Sequence, residues 1–300
     1  MANLYYNAAA VDMAWDELGN WWNDASFTTP AAALPTTGDT VHLNGDMLYP
    51  PSTPVTLAHI YVSDISTGTG YYQAILSGVI GNVTVFRGGR VGGQITGDAT
   101  FYNNSSAGGG RITGNATFND ICFNECSEIT GDATFNDYSI QYGFCDFLGN
   151  LTFNDYSVNA YNISVAGNTT FNDRSYNTRD ITGNATFNNN SRNLVLGPSG
   201  RGSVIGNATF NNSSINDGGT ITGDATFNDN SSCIFNYDQA AGFRVSGITT
   251  FNGPYAIGRI GAGTSYGGEM YVNMTLPAPT SSGGDNTIAR LLDLPWFINL

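Results

Sequence analysis

A short repeat constrains the fold of this chain more than any other feature. From residue 81 onward the unit Ile-Thr-Gly-(Asp/Asn)-Ala-Thr-Phe-Asn-(Asp/Asn)-x-Ser recurs, mostly in steps of 16 to 18 residues, with two longer steps of 23 and 24. Repeats built from paired helices need roughly 33 residues or more, and Gly, Asn, Asp, Ser and Thr are poor helix formers. Each unit is therefore predicted to form one turn of a β-solenoid. The repeat glycines are Gly81, Gly97, Gly114, Gly131, Gly149, Gly167, Gly183, Gly206, Gly223 and Gly247.

Apolar and polar residues alternate within each unit. A large apolar residue follows each glycine by four positions, and the residue two places before it is small or apolar in most units, with threonine between them. This alternation is typical of a strand with one buried face. The apolar file is Val85, Phe101, Phe118, Phe135, Phe153, Phe171, Phe187, Phe210, Phe227 and Phe251.

Two polar files accompany the apolar one. Stacked asparagine amides can hydrogen-bond from turn to turn, so the first file is expected to form a ladder of inward-facing side chains that cap each corner. It comprises Asn119, Asn136, Asn154, Asn172, Asn188, Asn211, Asn228 and Asn252. The second comprises Ser105, Ser139, Ser157, Ser175, Ser191, Ser214 and Ser231.

These patterns predict an all-β protein whose body is a parallel β-helix, or β-solenoid, of at least ten rungs of about 16–18 residues. The repeat glycine is expected to adopt a corner conformation closed to residues with a Cβ atom. Residues 1–55 are expected to form a non-repeat N-terminal cap or docking module and residues 56–260 the solenoid. Residues 261–300 are expected to form a C-terminal cap with an apolar docking tail.

The chain is acidic and contains no lysine. Its ten arginines stand against 24 aspartates and glutamates, which gives a net charge of −14. Nucleic acid and anionic membranes attract clustered cations, so neither is an expected partner. No window of about 18 apolar residues is present, which argues against membrane insertion. The first residues lack the features of a signal peptide, so synthesis in a cytosol is expected.

Cysteine and histidine offer little chemistry. Cys122, Cys126, Cys145 and Cys233 have neither a disulfide framework nor a zinc spacing and are expected to be structural thiols. His42 and His59 lie outside the repeat and have no metal-binding spacing. No catalytic cofactor is expected.

Three acidic residues outside the repeat positions, Glu125, Glu128 and Asp146, are the candidates for catalysis. They fall on successive turns in one neighbourhood, and a glycosidase needs two carboxyl groups about 5 to 9.5 Å apart. Adjacent turns allow that separation. The expected outcome is nevertheless a protein without enzymatic activity, because no defining motif accompanies these acids.

The acidic residues of the repeat itself alternate with asparagine at the same positions. This exchange indicates turn chemistry, since both side chains form Asx turns. The alternative is calcium held weakly between stacked oxygen atoms. Its candidate ligands are Asp98, Asp132 and Asp224.

The segment between the serine and the next Ile-x-Gly varies in sequence and holds both long insertions. In solenoids such a face is commonly the recognition surface. Its aromatic residues, mixed with polar ones, suit stacking on sugar rings, although packing in the core or between subunits explains them equally well. The glycan-binding candidates are Tyr138, Tyr142, Tyr156, Tyr161, Tyr176, Tyr237, Arg192 and Arg244.

Both ends of the chain carry apolar groups suited to assembly. The exposed edges of a parallel solenoid need caps or partners. An apolar tail either folds over the last rung or is buried in another subunit, and the second arrangement predicts a homo-oligomer, most simply a trimer. The assembly candidates are Trp15, Trp21, Trp22, Leu291, Leu292, Leu294, Trp296, Phe297 and Ile298.

The Ile-Thr-Gly-Asp-Ala-Thr-Phe-Asn-Asp rungs, the segment from Trp15 to Trp22 and the Pro-Trp-Phe-Ile run ending at Ile298 resemble bacteriophage structural proteins built on parallel β-helices. These are tail fibres, tailspikes and capsid decoration proteins. The resemblance implies a homotrimer on a virion surface that contacts other virion proteins and either attaches to host glycan or reinforces the particle. The alternatives are a cellular or extracellular surface adhesin or filament subunit, and a tailspike-like enzyme that cleaves polysaccharide.

Overall fold

The computed structural model describes residues 1–7, 13–44, 50–63, 73–76, 79–194, 202–235, 245–252 and 257–260. Within these ranges the chain is all-β and forms a parallel β-solenoid, as predicted, and the described residues make about nine turns. The one helical element among the described residues is a single 3-10 turn at Leu18–Asn20. The proposed C-terminal cap, residues 261–300, lies outside the described residues.

Each complete turn contains three short strands, which we name by their inward-facing residues: the Ile stack, the Phe stack and the Asn stack. The Ile and Phe stacks share one sheet, and three strands run through both of them: β6 (Val79–Phe86), β20 (Ile163–Phe171) and β22 (Ile181–Phe187). Numbered in chain order, the strands of this sheet within the repeat are β6 (Val79–Phe86), β8 (Gln94–Ile95), β9 (Ala99–Phe101), β11 (Arg111–Ile112), β12 (Ala116–Phe118), β14 (Glu128–Ile129), β15 (Ala133–Phe135), β17 (Cys145–Phe147), β18 (Leu151–Phe153), β20 (Ile163–Phe171), β22 (Ile181–Phe187), β24 (Val204–Ile205), β25 (Ala208–Phe210), β27 (Ala225–Asn228) and β29 (Thr249–Asn252).

The Asn stack forms the second sheet, in which every pairing is parallel. Its strands are β5 (Gln73–Ile75), β7 (Arg90–Gly92), β10 (Ser106–Ala107), β13 (Phe123–Asn124), β16 (Ile140–Gln141), β19 (Val158–Asn159), β21 (Tyr176–Asn177), β23 (Arg192–Leu194), β26 (Ile215–Asp217), β28 (Ser232–Phe235) and β30 (Ile257–Ile260).

The phenylalanine file forms the core of the solenoid. From Phe101 to Phe227 its side chains are fully buried, and each ring stacks on the ring of the next turn with centroids 4.6 to 4.9 Å apart. The spacing matches the separation of paired strands, so backbone pairing and ring stacking impose the same repeat. The predicted inward orientation of this file is confirmed.

A second ladder of amides runs through the interior of the Asn stack and was not predicted from the sequence. Its side chains are fully buried, and successive amides hydrogen-bond at 2.6 to 2.7 Å along most of its length. The ladder stops between Gln141 and Asn159, because the Gln141 amide donates instead to the Gly143 carbonyl. Its members are Asn124, Gln141, Asn159, Asn177, Asn193 and Asn216. The serine file is buried beside it.

The predicted ladder that follows the phenylalanines is present, but the predicted inward orientation of its side chains is wrong. They are half-buried or exposed, because each stands one residue after a buried phenylalanine. From Asn136 to Asn252 each amide donates to the asparagine oxygen of the preceding turn, for example Asn154 to Asn136 at 2.8 Å and Asn172 to Asn154 at 2.9 Å. Asp or Asn after each glycine has a different task. Its Oδ1 accepts the backbone N–H of the equivalent residue in the next turn, as Asp98 does from Asn115 at 2.8 Å.

The repeat positions require glycine mainly because there is no room for a Cβ atom. The prediction that they require it for a special backbone conformation is wrong for most of them. Among those described, only Gly81, Gly97 and Gly183 have φ in the left-handed region. At Gly131 a Cβ atom would lie 2.6 Å from the carbonyl carbon and oxygen of Gly114 in the preceding turn. The glycines therefore stack against one another's backbone at the corner between the Ile and Phe stacks.

The solenoid sheet extends into the N-terminal segment. Strands β1 (Asn3–Tyr6), β3 (Thr40–Leu43) and β4 (Val55–Ser63) pair in parallel and lead into β6. Strand β2 (Trp21–Trp22) pairs with β1 in the antiparallel direction and ends this edge of the sheet. Residues 1–55 therefore supply both the edge strand and the first strands of the stack.

Candidate ligand-binding face

The three stacks present outer surfaces of different chemistry. The Phe stack presents one threonine per turn, and the Ile stack presents Gln94, Arg111, Glu128, Asp146 and Ser164 in register. The Asn stack is different, because its outward positions in the middle turns are apolar or aromatic. These are Phe123, Ile140, Val158 and Tyr176, in register on successive strands. We call this surface the aromatic face.

One edge of the aromatic face carries a stacked pair of tyrosines. Tyr138 is exposed, and its ring lies 5.1 Å from that of Tyr156 with the planes 7° from parallel. Arg174, in the next turn, lies with its guanidinium carbon 5.6 Å from the Tyr156 ring centre and donates a hydrogen bond to the Tyr156 hydroxyl. The arrangement is a row of planar groups on the turn between the Phe and Asn stacks, in which Tyr138 and Arg174 are exposed and Tyr156 is half-buried.

The opposite edge carries a second aromatic cluster. Tyr142 and Phe144 are exposed, and both contact the ring of Tyr161 in the next turn, at centroid distances of 6.2 and 4.7 Å. Beside Tyr142 lies an open groove of about 270 Å³. It is lined by Arg90, Asn104, Ser106, Phe123, Glu125 and Tyr142.

An ion pair forms one wall of this groove. Arg90 reaches past the intervening turn to place a guanidinium nitrogen 2.8 Å from a carboxylate oxygen of Glu125. Gly108 makes the reach possible, because a Cβ atom there would collide with the Arg90 side chain. Both charged groups remain about one-third exposed, so they retain access to a ligand.

The structure separates the three candidate catalytic acids. Glu128 and Asp146 are register partners on the Ile stack, whereas Glu125 belongs to the aromatic face. Glu128 is itself paired with Arg111 at 2.7 Å. Two of the three carboxylates therefore already have an arginine partner, and only Glu128 and Asp146 are neighbours as an acid/base pair requires.

The candidate calcium ligands lie in the exposed file that follows the glycines. Asp98, Asp132 and Asp224 each use Oδ1 to accept a backbone N–H from the next turn. An asparagine oxygen performs the same task in the intervening turns, as Asn115 does for Asp132. Among the described residues, no three His, Cys, Asp or Glu side chains gather as a metal site.

Two of the three N-terminal tryptophans are buried in the chain itself. Trp15 and Trp21 pack edge to face at 4.8 Å, and Trp21 also packs on Tyr6. The indole N–H of Trp21 donates to the Trp15 carbonyl at 2.8 Å. These two side chains are therefore not free to anchor another subunit, which corrects that assignment, while Trp22 remains half-buried.

Several other candidates can be placed only in part. Tyr176 and Arg192 are register partners on the outer side of the Asn stack. Tyr237, Arg244 and the tail residues Leu291, Leu292, Leu294, Trp296, Phe297 and Ile298 lie outside the described residues.

The four cysteines are buried free thiols. Cys126 and Cys145 lie in adjacent turns with their sulfur atoms 3.8 Å apart. The neighbouring Cys126 side chain, together with burial, raises the pKa of the Cys145 thiol. Burial alone raises the pKa of Cys233. Thiolates are disfavoured at these two positions, in keeping with a structural role.

Sequence reasoning missed Arg174 and the aliphatic centre of the aromatic face. The aliphatic centre follows from alternation, because the residue between two buried positions, such as Ser139 and Gln141, must face outward. Aligning the repeat on these positions would have placed Phe123, Ile140 and Val158 in one partly exposed file. Arg174 follows from the repeat itself, since it stands three residues after phenylalanine, as Tyr156 does.

Comparisons with known proteins identify no relative: no family model, curated protein or solved structure matches this chain. Across the described residues, no helix has the length and apolar character needed to cross a bilayer.

Proposed function

We propose that this protein is a non-enzymatic structural protein of a virion, a fibre, spike or decoration protein, which binds host surface glycan through its aromatic face. The observation that carries the glycan proposal is the row formed by Tyr138, Tyr156 and Arg174 in three successive turns. The virion location rests on the resemblance to bacteriophage β-helices described above.

The chemistry of the aromatic face suits a sugar chain. Aromatic rings pack on the C–H surfaces of pyranose rings, while nearby polar groups bind the hydroxyls. The face supplies rings at both edges and, in the groove between Arg90 and Tyr142, a charged pair, an amide and a hydroxyl. With a net charge of −14 on the chain, a neutral glycan is a better ligand than a polyanionic one.

Binding to this face is tested with purified full-length chain and immobilised, structurally defined bacterial surface polysaccharides. The double variant Tyr138→Ala/Tyr156→Ala removes the stacked pair. The control is Thr134→Ala/Thr152→Ala, in the same two turns on the Phe stack. At about 1 kcal/mol per ring, the tyrosine variant should bind roughly tenfold more weakly or worse, and the control should bind normally. Equal binding by both variants, or no binding by the wild-type chain, would overturn the proposal.

A specific observation favours a second use of the same surface. The centre of the aromatic face is aliphatic, at Ile140 and Val158, which are half-buried and in register. Partly exposed aliphatic side chains in one file are typical of protein interfaces. The competing proposal is therefore a homo-oligomer, most simply a trimer, that packs its subunits laterally along this file. Sedimentation of Ile140→Asp/Val158→Asp distinguishes the two: loss of oligomer mass supports lateral packing, and unchanged mass excludes it.

A further inference from the structure

The outer surface of the Phe stack is a regular array of threonines. One threonine per turn stands in register with the next, and all nine are partly exposed. We call this file the threonine array. It comprises Thr100, Thr117, Thr134, Thr152, Thr170, Thr186, Thr209, Thr226 and Thr250.

The hydroxyls of the threonine array have no hydrogen-bond partner in the described part of the chain. The contrast with other threonines is clear, since Thr113 and Thr178 each donate to a carbonyl of the preceding turn. The Asp or Asn file and the Asn ladder on either side use their oxygens within the solenoid, as Asn150 and Asn154 do. The threonines therefore offer a line of free hydroxyl and methyl groups.

The array is periodic and rests on a stacked core. Paired strands set a repeat of about 4.8 Å along the axis, and the flanking files lie two residues away, or roughly 6.6 Å, across it. Beneath the array, the rings of Phe153, Phe171 and Phe187 stack within 5° of parallel, which holds the strands in a fixed geometry.

The middle of this surface is also uncharged. In the four turns from Asn150 to Asn211 the file after the glycine contains only asparagine, and the file after phenylalanine does likewise. The panel of asparagine, threonine and asparagine repeats four times without an ionic group at these positions. In the turns on either side of the panel the residue after the glycine is aspartate again, at Asp132 and Asp224.

We infer that the threonine array binds ice. A ligand that repeats at the same intervals can contact every turn of this surface, whereas the panel offers neither a ring for stacking nor a charge in these four turns. A hydroxyl anchors a water molecule and its adjacent methyl group favours ordered water around it. The repeat distances of the panel, along the axis and across it, are similar in size to the repeat distances between oxygen atoms in hexagonal ice. The inference is independent of glycan binding, which concerns a different face.

The test measures thermal hysteresis and inhibition of ice recrystallisation by the full-length chain. Thr170→Lys/Thr186→Lys places two long charged side chains in the centre of the panel. The control is Ser164→Lys/Thr182→Lys, which makes the same change of charge in the same two turns on the exposed Ile stack. Circular dichroism confirms that both variants keep the β-rich fold.

The wild-type chain and the control should produce hysteresis and faceted ice crystals, and the Thr170/Thr186 variant should lose both effects. Absence of hysteresis in the wild-type chain, or equal activity in the two variants, would overturn the inference. Microcrystalline cellulose serves as a second periodic surface rich in hydroxyl groups. Retention of the chain on cellulose without any effect on ice would also overturn the inference, in favour of a polysaccharide lattice.

Discussion

Phe153 and Phe171 lie in successive turns with their ring centroids 4.8 Å apart and their planes 3° from parallel. Both are fully buried, and their strands pair in register. The ring separation equals the strand spacing, so each ring fills the full height of its turn. A missing ring therefore leaves a void that the hydrogen-bonded turns above and below hold open.

Replacing Phe153 by alanine should lower the free energy of unfolding by about 3 to 5 kcal/mol, because the cavity cannot collapse. Urea denaturation followed by circular dichroism measures the change. Thr152→Ala is the control, since this neighbour faces outward on the same strand. Similar losses in both variants would contradict a core role for the phenylalanine file.

The interior amide ladder makes its own prediction at Asn177. Its Oδ1 accepts from Asn159, and its amide donates to Asn193 and to the Arg179 carbonyl. Asn177→Ala leaves these buried groups without a partner, at a cost of about 1 to 3 kcal/mol or more. Urea denaturation of Asn177→Ala, with the exposed residue variant Thr182→Ala as control, measures the loss in the free energy of unfolding. A loss no larger than that of the control would mean that water replaces the amide.

The corner glycines should tolerate alanine worse than a glycine that only needs its backbone conformation. Gly88 has φ of +79° with open space around it, so Gly88→Ala should cost about 1 to 2 kcal/mol. Gly131→Ala drives a methyl group into the Gly114 backbone and should cost more, because paired turns must separate. Thermal unfolding ranks the two. A smaller loss of stability in Gly131→Ala than in Gly88→Ala would contradict the close approach of the Gly131 and Gly114 backbones.

Stability should fall in mild acid because of the two histidines. His42 stacks between Tyr5 and Tyr61, and His59 bonds to the Thr84 hydroxyl. Burial lowers the pKa of both below the ordinary 6.5, and the neighbouring His59 lowers that of His42 further. Below pH 6.5 the unfolded chain therefore binds more protons than the folded chain does. The contribution of the two histidines to the free energy of unfolding is complete above pH 6.5 and declines as the pH falls below that value.

Denaturation midpoints measured on either side of pH 6.5 test this dependence. The double variant His42→Phe/His59→Gln keeps a ring in the stack and a polar group near Thr84, but removes both titrations. Its stability should change less with pH across this window. If the denaturation midpoint of the double variant changed with pH as steeply as that of the wild-type chain, other groups would be responsible for the pH dependence.

The protein should not cleave polysaccharide. Neither the wild-type chain nor the triple variant Glu125→Gln/Glu128→Gln/Asp146→Asn should release reducing ends from a bacterial surface polysaccharide. Chromatography of the incubated polysaccharide measures the release. Cleavage by the wild-type chain that the triple variant abolishes would establish an enzyme instead.

The sequence alone determined the parallel solenoid, the inward phenylalanine file and the asparagine ladder that follows it. Those features follow from the repeat, because residues at equivalent positions of a parallel stack must become neighbours and alternation decides which of them face inward. The exchange of Asp and Asn after glycine was predicted as local Asx turns, which proved wrong. In the folded chain either side chain instead supplies an oxygen to a backbone N–H of the next turn.

Only the tertiary structure decided which variable residues meet. Arg90 extends past Gly108 to Glu125, although these two positions are not equivalent in the repeat. Arg174 does occupy the position equivalent to Tyr156, but only the structure shows its guanidinium group on the Tyr156 ring. It also separated Glu125 from Asp146, although the two are close in sequence, because a corner of the turn lies between them. Contacts across a corner depend on backbone path and side-chain reach, and a one-dimensional repeat does not encode them.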